Sequence, residues 1–106
     1  MALVGVRPDR SSVHAQYTVR LAQRGAIQQA LQAAGIPTAV HYPVPVHMQP
    51  AYASLSAGAS CLVARAYADE VMSLPMGPYL TDEDIHTVCD VLLQAVGACR
   101  QEAAAA

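Results

Sequence analysis

A segment with three prolines, 41–50 (HYPVPVHMQP), constrains this chain more than any other feature. Each proline fixes its own φ near about −65° and disfavours helical geometry in the residue before it. The segment is therefore predicted to be a stiff, non-helical loop that carries the imidazoles of His41 and His47 and the phenol of Tyr42. A stiff loop has little conformational entropy left to lose, so its side chains are well suited to ligand binding. The alternative is a rigid connection between a strand and a helix, and the two interpretations have equal weight at this point.

The residues before the loop predict a strand, a helix and a second strand. Apolar and polar residues alternate over 13–21, which indicates a strand with one buried face. A helix is predicted over 24–34, and Gly35 and Pro37 then end it. Residues 38–41 are predicted to form a short strand that leads into the loop. The apolar stripe of the helix consists of Ile27, Ala30, Leu31 and Ala34.

The residues after the loop predict a further helix and a third strand. One or two helical turns are expected over 49–55, and a small-residue linker is expected over 56–60. A helix over 61–71 then leads into a strand over 71–74, which Pro75 ends. The expected core residues of that helix are Leu62, Val63, Ala66 and Val71.

The last helix has the clearest start signals in the chain. Thr81 is a predicted N-cap, and three acidic residues at 82–84 fill the first turn, where the helix dipole favours negative charge. They are interpreted as capping residues and not as a catalytic acid–base pair. The apolar stripe consists of Ile85, Val88, Cys89, Leu92 and Val96.

The order β-α-β-α-β-α predicts an α+β fold. We expect a small sandwich of about three mostly antiparallel strands with three or four helices packed on one face. The predicted domain spans 13–100, after a lead-in at 1–12 and before a frayed tail at 101–106. Hydrophobic residues make up 54% and charged residues 13% of the chain, against about 25% charged residues in an ordinary domain. So few charges imply apolar surface left exposed after folding, which suggests a piece of a larger assembly.

Charge and hydropathy argue against several classes of partner. The net charge is −2 and the six basic residues, all arginine, are scattered, so no nucleic-acid partner is expected. No apolar run reaches the roughly 18 residues of a membrane span, and no signal peptide follows Met1. We therefore expect no membrane partner and a cytoplasmic location. The cysteines Cys61, Cys89 and Cys99 are interpreted as buried free thiols.

The candidate site residues lie on the proline loop. His41 and His47 lack the spacing of a helical metal-binding pair, and there is no Cys-x-x-Cys motif, so neither a metal site nor a catalytic residue is expected. Binding is the better interpretation, because His41, Tyr42 and His47 offer hydrogen bonds and stacking surface. Tyr42 fits a core aromatic with a surface hydroxyl equally well. Arg20 is a candidate anion contact, although a solvated arginine is the more frequent case.

Three segments in order give the chain a resemblance to a known family: 15–20 (AQYTVR), 35–52 (GIPTAVHYPVPVHMQPAY) and 72–81 (MSLPMGPYLT). Over 13–96 the chain resembles the C-terminal small domain of the DegT/DnrJ/StrS sugar-nucleotide aminotransferases, which are pyridoxal phosphate (PLP) enzymes of fold type I. It is most similar to the branch that aminates UDP-linked 3-keto sugars such as UDP-3-keto-N-acetylglucosaminuronate.

The resemblance implies a parent enzyme, a homodimer, that transfers an amino group from glutamate through PLP to the keto sugar of a UDP-sugar. It implies that His41 and Tyr42 contact this substrate, with His47 as a further candidate. Gly77 stands where a histidine is frequent in this branch, so no side-chain contact is expected there. The PLP-binding residues would belong to a large domain of the same polypeptide that this chain lacks.

Lysine is absent from the chain. A PLP enzyme needs a lysine amine for its Schiff base, so we expect neither PLP binding nor activity from this chain alone. Two other functions stay open: a stand-alone module that binds a sugar nucleotide or an anion, and a partner subunit of a lysine-bearing chain. The keto sugar, and the choice between amination at C3 and at C4, also stay open.

Overall fold

The computed structural model describes residues 1–55 and 60–105. One antiparallel sheet has the strand order β1-β2-β3, with β1 at Ala2–Leu3, β2 at Tyr17–Arg20 and β3 at Val71–Leu74. The α-helices are α1 at Arg24–Ala33, α2 at Leu62–Glu70 and α3 at Asp82–Ala105. Two short 3-10 turns, Val46–Met48 and Pro50–Tyr52, lie between α1 and α2. The predicted α+β class, with three antiparallel strands and three helices, is confirmed.

The two longer strands give the sheet one core face and one polar face. Val19 lies opposite Met72 in the register of β2 and β3, and both side chains are buried. On the other face Thr18 lies opposite Ser73, and their hydroxyl oxygens are 3.1 Å apart, within hydrogen-bond distance. Alternation with a period of two thus separates an apolar surface from a polar one.

The core lies between the sheet and helices α1 and α3. Apolar side chains from both helices and from β2 and β3 form one buried cluster. Burial of this apolar area is the main source of the domain's stability. The buried cluster consists of Val19, Leu21, Ile27, Leu31, Ile36, Met72, Leu92, Ala95 and Cys99.

Helix α1 ends as the sequence predicts. Gly35 adopts a left-handed φ of 75°, which glycine tolerates because it has no Cβ. The Gly35 N–H donates to the Gln32 carbonyl at 3.0 Å, and the Ile36 N–H donates to the Leu31 carbonyl at 2.9 Å. These two bonds form a Schellman motif and direct Ile36 into the core. Of the predicted stripe, Ile27 and Leu31 are buried, whereas Ala30 and Ala34 are exposed.

Helix α3 begins with a reciprocal cap at Thr81, as predicted. The Thr81 N–H donates to Asp84 Oδ2 at 2.8 Å, and the Asp84 N–H donates to Thr81 Oγ1 at 3.2 Å. A hydrogen bond from the Thr81 hydroxyl to the Asp84 carboxylate is the main cause that lowers the pKa of Asp84. The sequence predicts a frayed tail over 101–106, but the helix includes residues 101–105. Alanine, the most frequent residue in this stretch, has the highest helix propensity. The predicted domain limits of 13–100 stay a prediction.

The first predicted strand is wrong in extent. It was expected over 13–21, but β2 covers Tyr17–Arg20. Val13 is 93% exposed, and His14 has a left-handed φ of 46°. A strand needs a hydrogen-bonded neighbour, and within the described part of the chain no strand pairs with 13–16. The third strand comes instead from the lead-in, where β1 pairs with Val19 and Arg20.

The strand predicted at 38–41 is also wrong, because it is reduced to one bridge. Ala39 exchanges two backbone hydrogen bonds with Ser73, at 3.1 and 2.7 Å, beside β3. Pro37 has no N–H with which to extend that ladder. The bridge places the start of the proline loop, at His41, near the edge of the sheet.

Helix α2 occupies the predicted span, but its predicted core face is wrong. Leu62, Val63 and Ala66 are exposed, whereas Ala68 is buried. The helix is tied to α1 by its last turn, since Arg24 Nε donates to the Asp69 carbonyl at 2.9 Å and Arg24 Nη2 to the Ala68 carbonyl at 3.3 Å.

The interpretation of all three cysteines as buried thiols holds for Cys99, which is buried in α3. It is wrong for Cys61 and Cys89, which are exposed. Cys61 is the N-cap residue of α2, and Cys89 lies in α3. The linker expected at 56–60 lies, apart from Ser60, outside the described residues. In the rest of the chain no helix is long and apolar enough to cross a membrane.

Candidate functional site

A groove of about 630 Å³ lies between the proline loop and helix α2. His41, Tyr42 and His47 all line it, so the structure brings the three predicted site residues together. The opposite wall includes Tyr67 and Ala68 of α2. The loop reaches this position because the Ala39 bridge fixes its start against β3, and α2 runs directly into the same strand.

The prolines predict a non-helical loop, and this prediction is wrong for part of the loop. A 3-10 turn covers Val46–Met48, and the Met48 N–H donates to the Pro45 carbonyl at 2.9 Å. Pro45 precedes this turn and therefore does not interrupt it. The helical turn expected within 49–55 is confirmed as Pro50–Tyr52, with Pro50 in its first position. His47 lies within the first of these two turns, and its side chain is half-buried.

His41 and Tyr42 are both exposed side chains of the groove. Tyr42 is 74% exposed, so its interpretation as a core aromatic is wrong. Its ring meets the His41 imidazole edge-on, with 5.6 Å between the ring centroids, which is a favourable arrangement for two aromatic groups. His41 also lines a second cavity, of about 280 Å³, beside Ala39 and Ser73. Both side chains are therefore accessible to a ligand.

Arg20 is held in a cluster that the sequence did not reveal. Arg20 Nε donates to Glu70 Oε2 at 3.0 Å, and Nη1 donates to the Tyr67 hydroxyl at 3.2 Å. The guanidinium carbon lies 4.1 Å from the centroid of the Tyr67 ring, within cation–π distance. The hydrogen bond to Glu70 is the main cause that raises the pKa of Arg20. Arg20 is therefore held by protein partners and is not a freely solvated residue, and its role as an anion contact stays a prediction.

Tyr67 is the groove residue that sequence reasoning missed. One available signal was the i, i+3 spacing of Tyr67 and Glu70, which puts both on one face of α2. Their common partner Arg20 lies on another element, and no local pattern could identify it. Because Arg20 contacts both its ring and its hydroxyl, Tyr67 forms a fixed aromatic wall in the groove.

The groove can bind a ligand through hydrogen bonds, stacking and apolar contact. Two imidazoles and three phenols, those of Tyr42, Tyr52 and Tyr67, line it. The positive charge of Arg20 is balanced by Glu70. No group of three or more His, Cys, Asp or Glu residues that could hold a metal occurs within 1–55 and 60–105. This set is suited to a polyhydroxylated ligand with a flat or apolar part.

A known protein family matches most of this chain. The model of the DegT/DnrJ/EryC1/StrS aminotransferase family matches residues 2–93. The chain belongs to this family, which consists of PLP-dependent aminotransferases.

Its relatives are much longer than the chain. The UDP-2-acetamido-2-deoxy-3-oxo-D-glucuronate aminotransferase of Pseudomonas aeruginosa is 51% identical over 87 residues, which are 82% of this chain and 24% of the relative. The dTDP-3-amino-3,4,6-trideoxy-alpha-D-glucose transaminase of Streptomyces venezuelae is 41% identical over 86 residues, which are 80% of this chain and 23% of the relative. The chain thus spans about a quarter of the length of these curated relatives.

Solved structures show the same fold. The crystal structure of S. venezuelae DesV in complex with a ketimine intermediate matches 89% of this chain and 26% of that chain, with a TM-score of 0.79 and 38% identity. A DegT DnrJ EryC1 StrS aminotransferase from Brucella abortus matches 91% of this chain and 26% of that chain, with a TM-score of 0.82 and 31% identity. The arrangement of sheet and helices described above is therefore that of one part of these enzymes.

The residues of this chain do not fit PLP as a covalently held cofactor. The Schiff base requires a lysine amine, and the sequence has none. The amine-bearing side chains available are arginines, whose guanidinium groups stay protonated in proteins and do not form the imine.

Proposed function

We propose that this chain acts as the C-terminal, substrate-facing domain of a homodimeric PLP-dependent sugar-nucleotide aminotransferase. PLP, held by the remainder of the polypeptide, would supply the amino-transfer chemistry from glutamate to the keto sugar. The observation that carries the proposal is the groove lined by His41, Tyr42 and His47, in a chain that matches about a quarter of each enzyme. The role of the chain itself is to bind and orient the sugar nucleotide.

The side chains that line the groove contribute to substrate binding and orientation in distinct ways. The imidazole of His41 and the phenol of Tyr42 donate and accept hydrogen bonds, as the hydroxyls and the acetamido group of a sugar require. The Tyr67 ring and the neighbouring alanines of α2 cover apolar faces of the ligand and exclude water from those hydrogen bonds. Such contacts position the keto carbon for reaction, which can contribute several kcal/mol to a rate enhancement.

A UDP-linked 3-keto sugar is the substrate class that we favour. It is the class named in the P. aeruginosa relative, with 51% identity. It is also named in the UDP-N-acetyl-3-dehydro-alpha-D-glucosamine 3-aminotransferase of Acidithiobacillus ferrooxidans, which is 42% identical over 77 residues, or 73% of this chain and 21% of the relative.

A chimeric enzyme tests the proposal. The matching quarter of the P. aeruginosa relative is replaced by this chain, and amino transfer to the UDP-3-keto sugar is measured. We expect activity, and we expect His41→Ala and Tyr42→Ala each to lower kcat/KM by about tenfold, the effect of one lost hydrogen bond to the substrate.

Leu93→Ala is the matched control, because Leu93 is exposed and lines neither the groove nor a cavity that adjoins it. It should leave kcat/KM unchanged. A folded chimera that is inactive, or one in which His41→Ala and Tyr42→Ala behave like Leu93→Ala, would contradict the proposal.

A stand-alone binding module or a partner subunit is the second candidate, and one observation favours it. The groove is formed within this chain, by the loop and α2 together. NMR titration of the 106-residue chain with a UDP-sugar distinguishes the cases. Tight binding centred on His41 and Tyr42 supports a module, whereas activity that appears only on mixing with a lysine-bearing chain supports a partner subunit.

A further inference from the structure

A smaller cavity, of about 280 Å³, adjoins the groove at its α2 end. His47 and Cys61 line both cavities, so the two cavities adjoin at these side chains. The smaller cavity also contains Arg65, from the first half of α2. It therefore combines an imidazole and a guanidinium, whereas the groove contains imidazoles and phenols.

Arg65 differs from the other arginines that precede α3 in what surrounds it. Arg7 and Arg10 pair with Asp9, and Arg20 pairs with Glu70. Arg24 donates to carbonyls at the end of α2. Over the described ranges 1–55 and 60–105, no acidic side chain lies within salt-bridge distance of Arg65. Its charge is thus available to an anion that enters the cavity.

We propose that Arg65 and His47 bind the diphosphate of the sugar nucleotide, with the sugar placed in the groove beside His41 and Tyr42. This inference rests on the proposed function and adds a phosphate subsite to it. A sugar nucleotide joins a polyhydroxylated sugar directly to an anionic diphosphate. The two cavities meet at His47, and their linings follow the same order as the parts of this ligand. Polar and aromatic groups line the groove, and the guanidinium of Arg65 lines the smaller cavity.

Arginine is suited to this role because its planar guanidinium donates two parallel hydrogen bonds to phosphate oxygens. Arg20, the arginine that sequence reasoning considered for an anion, is occupied by Glu70 and Tyr67. In this proposal Arg65, on α2, makes the anion contact that was considered for Arg20, on β2. The groove itself would then discriminate the sugar, and Arg65 would discriminate nucleotide-linked sugars from free ones.

Titration with inorganic pyrophosphate tests the subsite in the 106-residue chain, followed by ¹⁵N–¹H NMR. We expect shifts at Arg65 and His47, and an affinity at least about fivefold lower in Arg65→Ala, the effect of losing one exposed ionic hydrogen bond. Arg65→Lys should fall between the two, because an ammonium keeps the charge but not the paired donors. Arg100→Ala is the matched control: it removes the same charge from an exposed position outside the cavity and should change nothing.

Parallel titrations separate this inference from the proposed function. UDP should bind Arg65→Ala more weakly than it binds the parent chain, as pyrophosphate does. The affinity for uridine should be the same for both chains. If a UDP-sugar shifts His41 and Tyr42 but pyrophosphate binds Arg65→Ala as well as it binds the parent chain, the subsite is overturned and the proposed function stands. If the chimeric enzyme fails but pyrophosphate binding depends on Arg65, the subsite stands as an anion site of a binding module. Absence of pyrophosphate binding overturns the subsite.

Discussion

The two halves of this molecule use apolar residues in opposite ways. In the half built from β2, β3, α1 and α3, the leucines and valines other than Leu93 are buried or half-buried; Leu31, for example, is 0% exposed. In the half built from the proline loop and α2, similar residues face outward, and Leu62 is 72% exposed. The first half buries its hydrophobic residues against one another within this chain. The second half leaves a groove and an apolar surface, which fits a region that contacts a ligand and the remainder of a larger enzyme.

The largest expected effect breaks this comparison directly. Leu31→Ala removes a fully buried side chain and should lower the free energy of unfolding by about 3 kcal/mol, from lost burial and a residual cavity. Leu62→Ala, at an exposed position, should change it by less than about 0.5 kcal/mol. Urea denaturation of both variants measures the difference. Equal losses would show that α2 is packed against this chain in a way the structure does not have.

A smaller effect is expected where α1 ends. Gly35→Ala places a Cβ in a backbone with φ of 75°, which should cost about 1 kcal/mol of stability from conformation alone, since no atom lies within 4 Å of the added Cβ. Gly25→Ala, inside α1 and with equally open space, should stabilise the chain by about 0.5–1 kcal/mol. Thermal unfolding measures both changes, and a shared sign would contradict the Schellman motif.

The cap of α3 should give a comparable or smaller effect. Thr81→Ala removes the side-chain oxygen that accepts from the Asp84 N–H and should cost about 1 kcal/mol. Thr81→Ser is the matched control, because it retains that oxygen.

The same cap sets the smallest expected effect, a dependence on pH. Because hydrogen bonds from Thr81 lower the pKa of Asp84 in the folded chain, its carboxylate stabilises the fold above its unfolded pKa of about 3.9. That contribution is lost as the pH falls through the lower folded value. The stability difference between the parent chain and Asp84→Asn should therefore be present at pH 6 and shrink below about pH 4. A difference that grows on acidification would contradict the assignment.

The sequence predicted the helix ends of the buried half well, because they depend on local residues. The glycine stop of α1 and the threonine cap of α3 each depend on residues within a few positions of one another, whereas the α1 stripe was right for Ile27 and Leu31 and wrong for Ala30 and Ala34. The errors occur where a distant partner decides the outcome. The strand expected over 13–21 lacks a neighbour along its first residues, and the one over 38–41 keeps a single bridge to Ser73.

The candidate site divides in the same manner. His41, Tyr42 and His47 were found because the prolines and the histidines lie in one segment. Tyr67 and Arg65 were missed because α2 looked like a core helix, with Leu62 and Val63 in apparent core positions. Only the tertiary arrangement shows that α2 meets the loop across a groove. The pairing of Arg20 with Glu70 was missed for the same reason, because Glu70 is fifty residues away.

The size of the protein in cells that make it tests the central claim most directly. An antibody against this chain, used on an immunoblot and followed by mass spectrometry of the captured band, gives that size. We predict a polypeptide about four times as long as this chain, since the match covers 24% of the P. aeruginosa relative, with a lysine that forms the PLP Schiff base. A native product of 106 residues would contradict the aminotransferase assignment and leave the binding module or the partner subunit as its function.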